Sequence, residues 1–222
     1  MVTNIAVLVS GGGTNLQALI DAEGAGQLGD GRLALVLSSH PSAYALERAK
    51  QANIPTLTVR RKGYDSRESF TQAILEALRS HDIGLIVLAG FLYVLAPAFC
   101  EAFANRVINV HPALIPAFSG EGYYGIYVHK AVLDLGVKLT GATVHFVTPE
   151  IDDGPIILQK AVSIQPDDTP ETLQKRVMKQ AEWVLLPQAV RLFCEGRLRV
   201  EGRKVWISGG HQEKADRDYL FE

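Results

Sequence analysis

Short apolar runs alternate with amphipathic stretches through the first half of the chain. A continuous apolar run flanked by turn residues predicts a buried strand, whereas apolar residues spaced three and four apart predict a helix with one buried face. The alternating order of the two patterns predicts a parallel sheet with right-handed crossovers. The predicted strands cover residues 4–9, 33–38, 56–59, 83–89 and 107–110, and the predicted helices cover residues 16–22, 43–52, 66–81 and 98–103.

The second half of the chain follows a different pattern. Residues 140–147 carry β-branched side chains at alternating positions, residues 156–162 form another apolar run, and residues 171–194 have the spacing of a long helix. This half is expected to be more antiparallel. The predicted fold class is therefore α/β, with a mostly parallel, Rossmann-like mixed sheet and helices on both faces.

Composition and charge exclude several classes of protein. Of the 222 residues, 47% are hydrophobic and 21% are charged, and the formal net charge is −2, which offers no basic excess for binding nucleic acid. No apolar run approaches the roughly 20 residues that span a bilayer. No basic segment precedes an apolar one at the N-terminus, so we expect a cytoplasmic protein that does not contact a membrane. Cys100 and Cys194 are the only cysteines, and without a cysteine–histidine cluster no metal site is expected.

A glycine-rich turn, Ser10-Gly-Gly-Gly-Thr-Asn15, joins the first strand to the first helix. Glycines let the backbone approach a phosphate closely, and the first N–H groups of the helix point at the anion. The turn matches neither the dinucleotide pattern Gly-x-Gly-x-x-Gly nor a Walker A loop. It therefore favours a small phosphorylated metabolite, and the alternative is a turn that binds no ligand.

Asn109 and His111 stand at the end of the fifth predicted strand, before Pro112 and Pro116 break the pairing. Being two residues apart, they point to the same side of an extended chain, at the sheet edge where ligand crevices lie. An amide can stabilise an oxyanion, and an imidazole can move protons near neutral pH. We interpret the two as candidates for acyl-group transfer, the alternative being buried polar residues that satisfy a loop.

A carboxylate from the turn at Asp152 and Asp153 could orient the imidazole of His111 and stabilise its charged form. The spacing does not decide which of the two aspartates faces the histidine, and a solvated turn is the alternative. His145 lies on the strand that leads to this turn. It either lines the site as a supporting residue or is a satisfied histidine of the core.

The motifs Asn109-Val-His-Pro-Ala-Leu-Ile-Pro116, Thr140-Gly-Ala-Thr-Val-His145 and Asp152-Asp-Gly-Pro155 together resemble the folate-dependent formyltransferases. The turn that begins at Ser10 narrows the resemblance to the branch that formylates glycinamide ribonucleotide in purine biosynthesis. Four motifs in the right order are far more specific than any one of them, and the resemblance covers residues 5–196.

This resemblance implies one formyltransferase domain over residues 1–209, followed by a charged tail at residues 210–222. The domain would have a mononucleotide-binding half up to about residue 105 and a catalytic, folate-binding half over about residues 106–209. A formyl group is expected to pass from 10-formyltetrahydrofolate, the cosubstrate, to the amine of glycinamide ribonucleotide without a metal. Only small-molecule partners are expected, and the chain is expected to be a monomer or a homodimer.

The resemblance also implies residue roles. Asn109 is expected to donate to the oxyanion, His111 to shuttle the proton or stabilise charge, and Asp152, rather than Asp153, to orient the imidazole. The residues expected to hold the substrate phosphate and ribose are Gly13, Thr14, Asn15, Lys179 and Glu182, and those expected to hold the folate are Arg67, Leu92, Tyr93, Val94 and Leu95.

Several other functions share parts of this pattern. Methionyl-tRNA formyltransferase would need a further C-terminal domain and a basic surface, and formyltetrahydrofolate hydrolase would need a regulatory domain before the first strand. A catalytically silent module would keep the sheet and the glycine turn, but Asn109, His111 and Asp152 together argue against it. A nicotinamide oxidoreductase is disfavoured because no acidic residue follows the second strand.

Overall fold

A computed structural model describes residues 2–209, and the predicted tail at 210–222 lies outside the described residues. A seven-stranded sheet and a separate two-stranded hairpin are surrounded by helices. The strands are β1 (Thr3–Val9), β2 (Gly31–Ser38), β3 (Thr56–Thr58), β4 (Leu85–Leu88), β5 (Val107–His111), β6 (Leu139–Phe146), β7 (Ile156–Ser163), β8 (Leu198–Glu201) and β9 (Lys204–Ile207). The helices are α1 (Thr14–Gly24), α2 (Tyr44–Gln51), α3 (Arg67–Arg79), α4 (Pro97–Ala102), α5 (Ile126–Leu135), α6 (Pro170–Val177) and α7 (Trp183–Cys194).

The strand order of the large sheet is β3-β2-β1-β4-β5-β6-β7. The first five strands in this order pair in parallel, whereas β6 pairs antiparallel with both β5 and β7. The predicted mixed, mostly parallel α/β fold is thereby confirmed. The chain winds outward in opposite directions from β1 and from β4, so a crevice opens between their carboxyl ends.

The sheet is buried on both faces because side chains alternate along each strand. On β1, Ile5, Val7 and Val9 pack into the apolar cluster beneath α1, α2, α5, α6 and α7, whereas Ala6 and Leu8 pack into the second cluster beneath α3 and α4. All five side chains are fully buried. The continuous apolar run of β1 therefore reflects a strand covered from both sides, as its pattern predicts.

The long helix predicted over residues 171–194 is interrupted by a π-helical turn at Met178–Glu182. Leu173, Val177, Ala181, Leu185 and Ala189 recur at every fourth position, and all five are fully buried. In a uniform α-helix a four-residue repeat drifts by about 40° per step, or about 160° over this stretch. The π turn contains one residue more than an α-helical turn, and this extra residue cancels about 100° of the drift. The apolar stripe therefore stays on the core side of the helix.

The antiparallel hairpin of β8 and β9 was not predicted from the sequence, although its signal was present. Arg199 pairs with Trp206 across the hairpin, and exposed residues alternate with half-buried ones along both strands. Gly202 in the connecting turn has a left-handed φ of 59°. A short run of alternating residues around a glycine is the usual sequence signal of a hairpin. Within residues 2–209, no helix is long and apolar enough to cross a membrane.

We expect Gly154→Ala to lower the free energy of unfolding by about 3 kcal/mol. Gly154 lies where the turn carrying Asp152 passes the end of β6, and a Cβ atom there would overlap the carbonyl oxygen of Phe146. Gly24→Ala is the control, because a Cβ atom at Gly24 has open space. Urea denaturation of both variants measures the difference, and equal stabilities would show that the turn does not pack as described.

Candidate active site

The glycine turn lies at the carboxyl end of β1 and leads directly into α1. Gly13 adopts a left-handed φ of 70°, and a Cβ atom there would lie only 2.6 Å from the Cβ of Ala45, so glycine is required. Arg48 on α2 holds the turn from behind by donating Nε–H to the carbonyl oxygen of Gly12 at 2.9 Å. No side chain caps α1, so its first N–H groups are left for an anion.

Asn15, in the first turn of α1, joins the glycine turn to the π-helical turn. Its amide nitrogen donates to a carboxylate oxygen of Glu182 at 2.7 Å, and both residues are buried. Burial raises the pKa of Glu182 to about 7, although the hydrogen bond from Asn15 acts in the opposite direction. The Oδ1 atom of Asn15 is buried without a hydrogen-bond partner among the described residues. Two acceptors, one of them unpaired, therefore lie where the cleft reaches the end of the glycine turn.

Asn109 and His145 pair across β5 and β6, where the strand register sets them directly opposite each other. The amide nitrogen of Asn109 lies 3.2 Å from Nε2 of His145, and Nδ1 of His145 donates to the carbonyl oxygen of Phe146 at 2.8 Å. In a neutral imidazole with its hydrogen on Nδ1, Nε2 accepts from Asn109. An amide nitrogen carries two hydrogens, so one remains for a ligand in the cleft.

His111 is buried at the last position of β5 and has an acceptor beside each ring nitrogen. Nε2 lies 2.7 Å from the carbonyl oxygen of Phe118, which can only accept, so Nε2 carries a hydrogen. Nδ1 lies 3.3 Å from Oδ2 of Asp152. Burial lowers the pKa of His111 below its usual value, and this effect outweighs the opposing effects of Asp152 and the carbonyl. Neutral His111 therefore presents the Nδ1 lone pair as a proton acceptor next to a carboxylate.

Asp152, not Asp153, faces His111. Oδ2 of Asp152 accepts from the backbone N–H of Gly120 at 3.1 Å, and Oδ1 lies 3.7 Å from Nε2 of His145. Burial acts to raise the pKa of Asp152, but the two histidines and the Gly120 amide outweigh burial and lower it. Asp153 instead forms an exposed bidentate ion pair with Arg203 on the hairpin. Because both pKa values are lowered, Asp152 is ionised and the imidazole of His111 beside it is neutral at physiological pH.

The loop that follows β5 is fixed by a buried hydroxyl. Thr143, the register partner of His111 on β6, donates to the carbonyl oxygen of Ala113 at 2.7 Å and accepts from the N–H of Ile115 at 3.0 Å. Gln159 on β7 donates to Thr143 at 3.0 Å and to the carbonyl oxygen of Ile115 at 2.9 Å. These bonds hold the backbone on the C-terminal side of His111 in one position.

One cleft of about 440 Å³ connects these groups. Its lining includes Asn15, Asn109, His111, His145, Asp152, Glu182 and the segment Leu92–Leu95. Leu92 and Val94 are 61% and 44% exposed, and such apolar exposure inside a concave site is typical of a ligand-binding surface. Glu121 and Glu150 also line the cleft, and among its described lining residues there is no lysine or arginine.

Four of the residues predicted to contact ligands lie outside the cleft lining. Lys179 is exposed on the π-helical turn. Arg67 is exposed at the start of α3, where its Nε lies 3.4 Å from a carboxylate oxygen of Glu68. Gly13 and Thr14 are likewise absent from the lining, although they lead into the helix that carries Asn15. The ligand contacts expected of these four residues therefore remain predictions.

Two backbone contributors to the site were missed by sequence reasoning. The carbonyl of Phe118 and the N–H of Gly120 are backbone groups, so no side-chain pattern could reveal them. His129 on α5 is fully buried, and both of its ring nitrogens lack a partner among the described residues. Burial, with His111 nearby, lowers the pKa of His129 to about 4, so this imidazole is neutral at physiological pH. The described part of the chain contains no cluster of three or more residues suited to hold a metal.

The cleft therefore brings together an amide donor, a neutral imidazole and an ionised carboxylate, groups that are suited to group transfer. The chain belongs to the formyl transferase family, whose model matches residues 3–190. It is 38% identical to the phosphoribosylglycinamide formyltransferase of Escherichia coli strain K12 over 93% of this chain and 94% of that protein. It is 40% identical to the Haemophilus influenzae protein of the same name, over 92% and 93% of the two chains.

A solved structure agrees with this relationship. The fold is similar to the glycinamide ribonucleotide transformylase 1 of Symbiobacterium toebii, with a TM-score of 0.87, 43% identity and coverage of 93% and 94% of the two chains. A formyltetrahydrofolate deformylase from Pseudomonas syringae is also similar, with a TM-score of 0.83 and 27% identity, over 93% of this chain and 66% of that one. The protein is therefore a formyltransferase by family, and its fold also occurs in a deformylase.

We expect Glu182→Gln to stabilise the protein at pH 8 and to leave its stability unchanged near pH 4.5. The folded protein binds the Glu182 proton more tightly than the unfolded chain, because the pKa rises from 4.5 to about 7 on folding. Ionised Glu182 therefore opposes folding by about 3 kcal/mol above pH 7, and the penalty disappears as the pH falls to the unfolded value. Glutamine keeps an oxygen that accepts from Asn15.

Urea denaturation of the wild type and the Glu182→Gln variant at the two pH values measures this effect. Glu171→Gln, which makes the same replacement at an exposed position in the first turn of α6, is the matched control. A Glu182→Gln difference that is equal at both pH values would mean that Glu182 titrates normally in the folded protein.

Proposed function

We propose that this protein transfers the formyl group of 10-formyltetrahydrofolate to the amine of glycinamide ribonucleotide, N1-(5-phospho-D-ribosyl)glycinamide, in purine biosynthesis. The observation that carries the proposal is the convergence of Asn109, His111 and Asp152 on one cleft that also reaches Asn15 and Glu182. This combination provides groups for acyl transfer at one end and a phosphate turn at the other. The names of the relatives at 38–43% identity support the same substrates.

In this proposal the substrate amine attacks the formyl carbon, and the carbonyl oxygen becomes an oxyanion. Asn109 donates its remaining amide hydrogen to that oxygen, while His145 accepts the other hydrogen and holds the amide in place. A donor fixed before the reaction stabilises the developing charge without reorganising. Asn109 therefore acts on the tetrahedral intermediate.

His111 moves the proton between the two nitrogens. Nδ1 of His111 accepts the proton that the attacking amine releases, and Asp152, 3.3 Å away, stabilises the imidazolium. The imidazolium then protonates N10 of the folate as the bond between N10 and the formyl carbon breaks. The products are the formylated amide and tetrahydrofolate, and no net proton is consumed.

The ribonucleotide is proposed to bind along the glycine turn. Its phosphate meets the uncapped N–H groups of α1, where an anion is favoured, and its ribose hydroxyls donate to Oδ1 of Asn15 and to Glu182. The amine end then extends towards Asn109 and His111 and reacts in its neutral form, whose lone pair attacks the formyl carbon. Lys179 is exposed outside the cleft lining, and its contact with the substrate phosphate stays a prediction.

The folate is proposed to lie against the segment Leu92–Leu95, where the exposed side chains of Leu92, Tyr93 and Val94 offer apolar walls to a pteridine ring. Arg67 is exposed outside the cleft, so it can meet only the solvent-facing, anionic end of the cosubstrate. The acidic lining of the cleft favours the same orientation, because it repels the anionic end.

The proposal predicts ribonucleotide-dependent release of tetrahydrofolate, followed by absorbance with 10-formyl-5,8-dideazafolate as the donor. Asn109→Ala and His111→Ala should each lower kcat by roughly 10²- to 10⁴-fold, since each removes a group that acts on the transition state. His40→Ala, at an exposed position outside the cleft lining, should retain wild-type kcat.

The same assay separates the rival functions. Release of the folate that does not depend on the ribonucleotide would support a deformylase instead, the activity named for the Pseudomonas syringae relative. Saturable binding of both substrates without turnover would support a catalytically silent module.

We further predict that the acidic limb of the pH profile of kcat lies below pH 6.5. Only neutral His111 can accept the proton, and burial lowers its pKa from the usual 6.5. Asp152→Asn should shift the limb of the residual activity to still lower pH, because the carboxylate raises the pKa of His111. An acidic limb at or above pH 6.5, or one that Asp152→Asn shifts upward, would contradict this role of His111.

A further inference from the structure

The segment Phe118–Gly125 brings two further aromatic side chains to the cleft. Tyr123 and Tyr124 both line it and are 36% and 52% exposed. Each ring packs edge-on against an aromatic neighbour. The ring centroids of Tyr123 and Phe118 are 6.2 Å apart, and those of Tyr124 and Tyr127 are 5.1 Å apart. Such contacts hold a ring in place while part of it faces the cleft.

This segment also contacts the reacting groups. The carbonyl of Phe118 accepts from His111, and the N–H of Gly120 donates to Asp152. Tyr123 follows within five residues and donates its N–H to the carbonyl of Gly120 at 3.2 Å. A ligand held by the tyrosines therefore lies beside the proton-transfer pair and is not bound at a remote surface.

The charge of the cleft limits which part of a ligand fits there. Glu121, Glu150 and Asp152 share the cleft with the tyrosines, and none of its described lining residues is a lysine or arginine. An anionic group is disfavoured in such surroundings, whereas an uncharged ring with N–H donors finds acceptors. Exposed aromatic rings favour a flat partner, because stacking needs only a π-face.

We propose that Tyr123 and Tyr124 bind the flat heterocycle of the formyl donor, from a different part of the cleft wall than Leu92–Leu95. This assignment rests on the proposed function, because it takes the donor to be a folate. In this assignment the side chains of Tyr123 and Tyr124 contact the heterocycle, and both contacts contribute to the affinity for the cosubstrate. The acidic tail of the folate does not contribute to these contacts.

Titration calorimetry with two probes tests the assignment. The probes are 10-formyl-5,8-dideazafolate and the same molecule without its glutamate, each added in the absence of ribonucleotide. Tyr123→Ala and Tyr124→Ala should each raise the Kd of both probes roughly tenfold, and the Phe variants should stay within about threefold of the wild type. The KM for glycinamide ribonucleotide should not change.

Trp206→Ala is the matched control, because Trp206 is an aromatic residue 45% exposed on the hairpin and outside the cleft lining. Unchanged Kd values in both alanine variants, or a loss confined to the probe that carries glutamate, would overturn the assignment. If the wild type binds the probes but does not formylate the ribonucleotide, the proposed function fails independently. If it turns over and the tyrosine variants bind normally, only the assignment of the tyrosines fails.

Discussion

The confinement of the His111 ring between two acceptors is the constraint on which the site depends. The carbonyl oxygen of Phe118 fixes the hydrogen on Nε2, and Asp152 stands beside Nδ1. A buried imidazole loses much of its affinity for a proton, and a nearby carboxylate restores part of it. The result is a group that is neutral when the substrate binds and is stabilised when it accepts a proton, as the proposed proton transfer between two nitrogens requires.

The change from parallel to antiparallel pairing at β6 brings these groups together. The register between β5 and β6 sets His145 opposite Asn109 and Thr143 opposite His111. The turn between β6 and β7 then returns Asp152 to the carboxyl end of β5. The catalytic candidates thus come from one strand, its antiparallel neighbour and the turn that follows.

The parallel half of the sheet contributes the other end of the cleft. Its winding reverses between β1 and β4, and the glycine turn at this reversal carries Asn15 towards Glu182. Glu182 reaches the cleft because the π-helical turn keeps one face of the interrupted helix on the core. The buried carboxylate of Glu182 and the glycine turn thus meet in the fold, although Asn15 and Glu182 lie 167 residues apart in sequence.

The sequence predicted the features that follow from local periodicity. The continuous apolar runs of β1, β4 and β5 and the amphipathic spacing of α3 predicted the parallel sheet, and the pairing of β6 and β7 confirms the mixed order. The π-helical turn was not predicted, although the apolar residues from Leu173 to Ala189 recur at every fourth position, which a uniform α-helix cannot keep on one face. Local pattern also left open which aspartate faces His111, because that choice depends on the left-handed backbone of Asp152, with a φ of 53°.

The backbone groups that contact the site could not be predicted from the sequence either. The Phe118 carbonyl and the Gly120 amide act on His111 and Asp152 through the shape of a loop, and nothing in their side chains indicates it. Lys179 and Arg67 fit an anionic ligand by charge, and both are exposed outside the cleft lining. The ligand contacts expected of them stay predictions.

The most direct test of the central claim is the protonation state of His111, read by ¹⁵N NMR of protein labelled at histidine. Comparison with the His111→Asn variant identifies its signals. The account predicts a neutral ring at pH 7.5 with the hydrogen on Nε2, and protonation of Nδ1 only below pH 6.5. A ring that carries its hydrogen on Nδ1, or an imidazolium at pH 7.5, would contradict the proton-acceptor role on which the proposed transfer depends.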